Sequence, residues 1–278
     1  MTAVVGAAAV DLVAARADFQ TGTSNPAEVS MLCGGVGYRI FRALDSPKCF
    51  ISAVGTDALG TWLRRQLIRD GEVRLQSSKT LPTARYLAFM AAGRLLVAAS
   101  DMRVIEQALT YESVRSDLAR RRQLRFLVVE GNLSSALLHS LLSDQAANTR
   151  RVFECVSVEK TLRHAAVLSG LYLLAGNREE VAAFAGGHKR GRLERLMRER
   201  EIEHILETRG GEGASLYSRT EARKDFRVGP ALPAVDTTGA GDRLLAELLN
   251  LLQGPAGPAA VLPAAMQRVA EAIKEKAL

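Results

Sequence analysis

Several short apolar runs with no polar alternation constrain this chain more than any other feature. Residues 3–13, 49–55 and 124–130 are apolar over lengths that suit strands. Runs of this kind predict strands buried on both faces, as in parallel sheets covered by helices. Stretches with helical spacing follow them: residues 38–44, 61–69 and 134–144. That alternation predicts an open α/β sheet. Residues 3–13 read as one first strand that carries Asp11 near its end. Residues 83–90 and 94–100 are extended runs joined by Ala91-Ala92-Gly93, which predicts a hairpin. Residues 16–32 are polar and read as two short strands or a loop, and residues 104–122 and 189–203 as helices, the second highly charged. A hydrophobic fraction of 47% suffices for a full core, and aromatics at 5% make that core aliphatic.

The turn Asp236-Thr237-Thr238-Gly239-Ala240-Gly241-Asp242 is the main chemical signal. A short apolar approach precedes it and an amphipathic helical run follows. A glycine turn opening onto a helix leaves backbone N–H groups unpaired at the positive end of the helix dipole, which suits an anion. Asp242 sits where that anion would lie. It fits a base that takes a proton from a hydroxyl during phosphoryl transfer, and equally an acidic complement to the helix dipole.

The charge of +7 suits a phosphate-bearing ligand, RNA or an acidic protein, and does not choose among them. Cys33, Cys49 and Cys155 are far apart, with neither Cys-x-x-Cys spacing nor a nearby histidine, which argues against a zinc site or a disulfide framework. His139, His164, His188 and His204 are equally scattered and read as surface or core side chains. No apolar stretch approaches the roughly 20 residues of a membrane helix, so no membrane contact is expected. A cytoplasmic location is the default, with an organelle matrix the alternative if a transit peptide was removed. The basic run Arg120-Arg121-Arg122-x-x-Arg125 and the arginine-rich residues 189–200 lack interleaved aromatics for base stacking. They read as solvated helix faces or as a phosphate-contacting RNA surface.

Together, Gly34-Gly35 opening the first helix and Asp-Thr-Thr-Gly-Ala-Gly-Asp near the end resemble the two signatures of the ribokinase-type (PfkB) carbohydrate kinase family. The resemblance spans nearly the whole chain. Within the family, Gly34-Gly35-Val36-Gly37, Ser52-Ala53-Val54-Gly55, residues 96–102 and Asn132-Leu133-Ser134 are most similar to the pseudouridine kinases. This implies a single domain over residues 1–278, with a three-layer fold, a mostly parallel central sheet and a small β lid built from about residues 16–32 and 83–100. It implies ATP-dependent phosphorylation of a sugar or nucleoside hydroxyl, the 5′-hydroxyl of pseudouridine in the most similar members, with magnesium (Mg2+).

The same resemblance assigns roles. Asp242 matches the catalytic base, and Gly239, Ala240 and Gly241 its anion hole. Asp11 matches the carboxylate that holds substrate hydroxyls, and Gly34-Gly35 the pair beneath the sugar. Arg39, Asp101 and Asn132 fall at substrate-binding positions. Asn177 and Glu180 match an Asn-x-x-Glu that helps place magnesium and phosphates. Thr208, Gly210, Gly211 and Gly213 match the loop lining the nucleotide. The family also implies homodimers formed through the lid.

The chain departs from the pattern at several of these places. Arg39 stands where the family has an asparagine that hydrogen-bonds the sugar, and arginine offers donors only. Ala9 replaces a polar residue two positions before Asp11, Ser100 an asparagine beside Asp101, and Glu154-Cys155-Val156-Ser157 an Asp-Pro-Val-Ser-like stretch. These departures support an alternative, a catalytically degenerate kinase fold serving as a structural or RNA-associated subunit of a larger assembly.

Overall fold

The computed structural model describes residues 1–121, 123–144, 149–187, 191–227 and 239–277. In chain order its first elements are β1 (Thr2–Val5), β2 (Ala9–Arg16), β3 (Glu28–Gly34), α1 (Val36–Ala43), β4 (Lys48–Gly55), α2 (Ala58–Leu67), β5 (Glu72–Ser78), β6 (Arg85–Ala91) and β7 (Arg94–Asp101). The middle holds α3 (Arg103–Ala108), α4 (Tyr111–Ala119), β8 (Phe126–Glu130), α5 (Ser135–Ser143), β9 (Arg150–Glu154), α6 (Val158–His164), β10 (Leu173–Asn177) and α7 (Arg178–Ala185). It closes with α8 (Arg192–Glu199), β11 (His204–Thr208), β12 (Ala214–Ser218), β13 (Lys224–Phe226), α9 (Ala240–Leu251) and α10 (Pro258–Ala277).

Nine strands form one sheet in the order β13-β12-β11-β10-β9-β8-β1-β4-β5, parallel except that β12 runs antiparallel to both β11 and β13 at one edge. Its central strands alternate between two apolar layers. Val5 and Val129 face one cluster with α3, α4, α5, α7 and α8, whereas Val4 and Val128 face another with α1, α2, α9 and α10. Both faces are covered by helices, which is why the apolar runs show no polar alternation.

A second sheet of four strands, β3-β2-β6-β7, stands apart as the lid. Residues 3–13 are therefore two strands in two sheets. The chain leaves the large sheet at Val5 and enters the small one at Ala9, so Asp11 belongs to the lid and the lid begins before residue 16. Buried side chains hold this crossing. Ala7 N–H donates to Glu130 Oε1 at 2.6 Å and Ala8 N–H to Ser52 Oγ at 3.1 Å. A side chain at Gly6 would crowd Glu130, with its Cβ 2.7 Å from Glu130 Cγ.

Other expectations are corrected in detail. The helix expected over residues 104–122 is two helices, α3 and α4, each starting from its own turn. Residues 72–78 form β5, an edge strand of mixed polarity that no apolar run announces. Residues 16–32 hold one strand, β3, preceded by a loop. The charged helix is shorter than its charge pattern, Arg192–Glu199. Arg122, His188, Lys189 and residues 236–238 of the glycine turn lie outside the described residues. Among those described, no helix is long and apolar enough to cross a membrane.

Asp57 ties the second lid entry to the large sheet. Its carboxylate caps α2 through Gly60 N–H (2.7 Å) and accepts Thr83 N–H (2.9 Å) and the Thr83 hydroxyl (2.5 Å) just before β6. Burial alone would raise its pKa, but the bonds from Thr83 and Gly60 outweigh that and hold it below the usual carboxylate range. Its contribution is thus present at neutral pH and lost as pH falls through that lowered value. Asp57→Ala removes a helix cap and leaves the buried Thr83 N–H without a partner, together about 2 kcal/mol. A melting temperature lower by roughly 4–8 °C is expected at neutral pH, with a smaller deficit near pH 3; an unchanged melting temperature would show that the tie contributes nothing.

Candidate active site

The site forms where the N-terminus of α9 meets α1, the ends of β9–β11 and the lid strand β2. Gly239 caps α9 in the left-handed region (φ 78°) with no side-chain cap. The N–H groups of the first turn therefore face outward without intrahelical acceptors. Asp242 sits in that turn, only 7% exposed.

Arg39, the fourth residue of α1, is the counter-charge. Its Nε donates to Asp242 Oδ2 at 2.7 Å and its Nη1 to Asp11 Oδ2 at 3.3 Å. One guanidinium thus spans the two carboxylates. A Cβ on Gly239 would lie 3.1 Å from Arg39 Cδ, so the same side chain lies beside the start of α9. The glycine pair at the start of α1 has distinct causes. A Cβ on Gly34 would overlap the Asp11 carboxylate, and one on Gly35 (φ 96°) would overlap the Ala7 carbonyl.

A cleft of about 250 Å³ opens here. Arg39, Glu154, Val156, Asn177, Glu180, Thr208, Gly239, Gly241 and Asp242 line it, with Val36, Ala175, Gly176 and Leu206 completing the wall. Asn177 and Glu180 form a reciprocal cap on α7: Asn177 Oδ1 accepts Glu180 N–H (2.9 Å), and Glu180 Oε2 accepts Asn177 N–H (2.8 Å). The Thr208 hydroxyl donates to Gly176 O at 3.4 Å.

Other predicted site residues lie outside the lining. Gly210 and Gly211 open the short 3-10 turn Gly210–Glu212, and Gly213 (φ 108°) is needed where the backbone of Phe226 crosses close by. Asn132 is buried and donates to Glu130 Oε2 at 2.6 Å while accepting from Lys160 Nζ, a network beneath the β1–β2 crossing. Asp101, at the end of β7, pairs with Arg103 (2.7 Å) and Arg85 (3.6 Å). The Arg103 hydrogen bonds pull its pKa to about 2.

Burial governs the electrostatics. It pushes Asp11 up to about 6 against the pull of Arg39, and Asp11 Oδ1 has no partner. Asp242 is also raised by burial, with Arg39 opposing through charge and hydrogen bond. Arg39 stays firmly charged, because Asp242, Asp11 and Glu154 outweigh the cost of its own burial.

Glu154, noted in the sequence only as part of a departure from the family pattern, is a cleft residue that was assigned no role there. It is 9% exposed, lines the cleft and has no partner for Oε2. Burial, then the charges of Asp242, Glu180 and Glu130, raise its pKa well above the usual range. Two positions on, Val156 adopts φ 69°, a left-handed conformation costly for a β-branched residue. The available signal was a carboxylate closing a strand directly after apolar residues, shared by Glu130 (after Phe126–Val129) and Glu154 (after Val152-Phe153). Among the described residues no group of three or more His, Cys, Asp or Glu could hold a metal by itself. Glu180, a carboxylate lining the cleft, is of the kind that would hold a magnesium ion.

The chain is 27% identical over 154 residues to a pseudouridine-metabolizing bifunctional protein of Schizosaccharomyces pombe, covering 53% of this chain and 20% of that protein. It is 26% identical over 216 residues to a D-beta-D-heptose 7-phosphate kinase of Bordetella bronchiseptica, covering 76% of this chain and 68% of that one. The chain thus spans about a fifth of the first relative and about two thirds of the second. The structure of Arabidopsis thaliana ribokinase complexed with ribose and ATP superimposes with a TM-score of 0.80 at 18% identity, over 96% of this chain and 90% of that one, which shows a shared ribokinase-like fold. The profile of the pfkB family carbohydrate kinases matches residues 1–256. With that match over nearly the whole chain, the protein belongs to the pfkB family of carbohydrate kinases.

Proposed function

We propose that the cleft transfers the γ-phosphoryl group of ATP to a hydroxyl of a sugar or nucleoside, with the 5′-hydroxyl of pseudouridine as the preferred acceptor. The observation that carries this reading is Asp242, buried in the first turn of α9 beside outward-facing N–H groups, with Asp11 reached by the same arginine. Phosphoryl transfer asks for alignment and positive potential more than for covalent chemistry. The N–H groups of Gly239, Ala240 and Gly241 supply that potential. Asp242 accepts the acceptor's proton, and Asp11 holds neighbouring hydroxyls. Thr208, Gly210, Gly211 and Gly213 flank the nucleotide. Asn177 orients Glu180, which would hold magnesium together with the phosphates; the ion would neutralise charge on the triphosphate. The relatives' names support both a nucleoside and a phosphorylated sugar as acceptor class, and the pseudouridine-like local stretches favour the first.

Seven of the ten large exposed apolar side chains among the described residues lie on lid strands, Leu95, Leu96 and Val97 on β7 among them. A homodimer through the lid would cover them. A second reading draws on the two ion pairs of Arg39, which engage the base and the acceptor carboxylate together. It makes the chain a non-catalytic subunit that contacts RNA through its arginine-rich surface. Arg121 contributes little to such a surface, since it is largely buried against Glu72 at 2.6 Å.

Three outcomes follow. ATP turnover with pseudouridine, ribose and adenosine should be stimulated by at least one acceptor and should fall by about 10²–10⁴-fold in Asp242→Asn. Salt-sensitive RNA binding without acceptor-stimulated turnover would favour the second reading. Since ionised Asp11 accepts hydroxyl donors and burial pushes its pKa up to about 6, kcat/KM should fall towards tenfold per pH unit below 6, and Asp11→Asn should displace that limb, leaving only the one set by Asp242; a profile flat from pH 5 to 8 would contradict the role. Sedimentation of the parent should show a dimer, and Leu96→Asp should convert it to monomer; identical sedimentation of both would remove the lid from the interface.

A further inference from the structure

Arg39 is the one departure from the family pattern that reaches both catalytic carboxylates, and its surroundings suggest more than blockage. Its guanidinium lies between Asp11 and Asp242 and beside Gly239 at the start of α9. Its side chain is 32% exposed toward the cleft. Among the described residues Nη2 makes no hydrogen bond, which leaves a face of the planar fork free. Glu154, nine-tenths buried, lines the same space with Oε2 unpartnered. A buried polar oxygen without a partner is costly unless something bound there satisfies it. A helix N-terminus and a guanidinium line one side of the same cleft.

An uncharged hydroxyl acceptor competes with Arg39 for Asp11 and Asp242, each of which gives its Oδ2 to the guanidinium. That competition is relieved when the guanidinium finds a better partner nearby. A phosphoryl oxygen at the α9 N-terminus is such a partner, because arginine binds phosphate in a forked, charge-assisted geometry. We infer that Arg39 is a catalytic residue, a clamp for the terminal phosphoryl group of the nucleotide, parked on Asp11 and Asp242 until that group arrives. This rests on the kinase reading above. When a triphosphate enters, Arg39 passes to its terminal phosphoryl group and both carboxylates become free for the acceptor. The acceptor oxygen then bonds to phosphorus as the bridging P–O bond breaks. The acceptor's proton passes to Asp242, and the nucleoside diphosphate leaves with the electron pair of the bridging oxygen. Arg39 stabilises the charge on the equatorial oxygens through the transfer, as an arginine supplied in cis.

The experiment is isothermal titration of the parent, Arg39→Asn, Arg39→Gln and Arg39→Lys with Mg2+ and either AMP-PNP, a non-hydrolysable ATP analogue, or ADP. The parent is expected to bind AMP-PNP about tenfold more tightly than ADP. Asn and Gln at position 39 should bind the two nucleotides within threefold of one another, with ADP affinity close to the parent's, and Lys should keep part of the preference. Equal binding of both nucleotides by the parent, a measurement that needs no variant to fold, overturns the inference and leaves the kinase reading standing. So does a preference that survives in Arg39→Asn or Arg39→Gln. If the parent binds neither nucleotide, the kinase reading fails and the inference falls with it.

Discussion

A single guanidinium connects the three parts of the molecule that must meet for chemistry. Arg39 comes from α1, Asp242 from the start of α9 and Asp11 from the lid. Each carboxylate is desolvated, and each would take up a proton more readily without the cation. Breaking one partner out of such a group leaves an uncompensated buried charge, so the arrangement is held more firmly than an exposed ion pair of the same length. The resting geometry of the cleft follows from this contact.

That contact exists only because the chain crosses between its sheets in three residues. β1 must end at Val5 and β2 begin at Ala9 for Asp11 to stand over α1. Glu130 and Ser52, both fully buried, hold the crossing by accepting the N–H groups of Ala7 and Ala8. Gly34 and Gly35 are then dictated by what presses on them, the Asp11 carboxylate and the Ala7 carbonyl. Glu130 and Glu154 close neighbouring parallel strands in register, yet their environments differ. Glu130 is satisfied by three donors, whereas Glu154 keeps an unpartnered oxygen in the cleft.

Much of this was legible in the sequence. The apolar runs announced a covered parallel sheet because both faces are buried, and the glycine turn announced the α9 N-terminus because few residues but glycine tolerate φ 78°. The sheet change after Val5 was not legible, since apolar residues continue through it and periodicity carries no mark of which sheet a strand joins. β5 was hidden by its mixed polarity, and the two-helix form of residues 103–119 by an uninterrupted helical composition. At the site, residue identity pointed to Asp11, Arg39 and Asp242 separately. Their meeting is a tertiary fact, set by 203 residues of sequence separation between Arg39 and Asp242. Asn132 and Asp101 show the converse: matching positions whose side chains are engaged by Lys160 and Glu130, and by Arg103 and Arg85.

If the α9 N-terminus, with Arg39 and Asp242, is a phosphoryl-transfer centre, a crystal structure with Mg2+ and AMP-PNP will show it. Phosphates are expected over Gly239–Gly241, with the terminal phosphoryl group within hydrogen-bond distance of Arg39 and Asp242 released from that arginine. Nucleotide bound elsewhere, or an Arg39 still paired to Asp242 beside an ordered triphosphate, would contradict it.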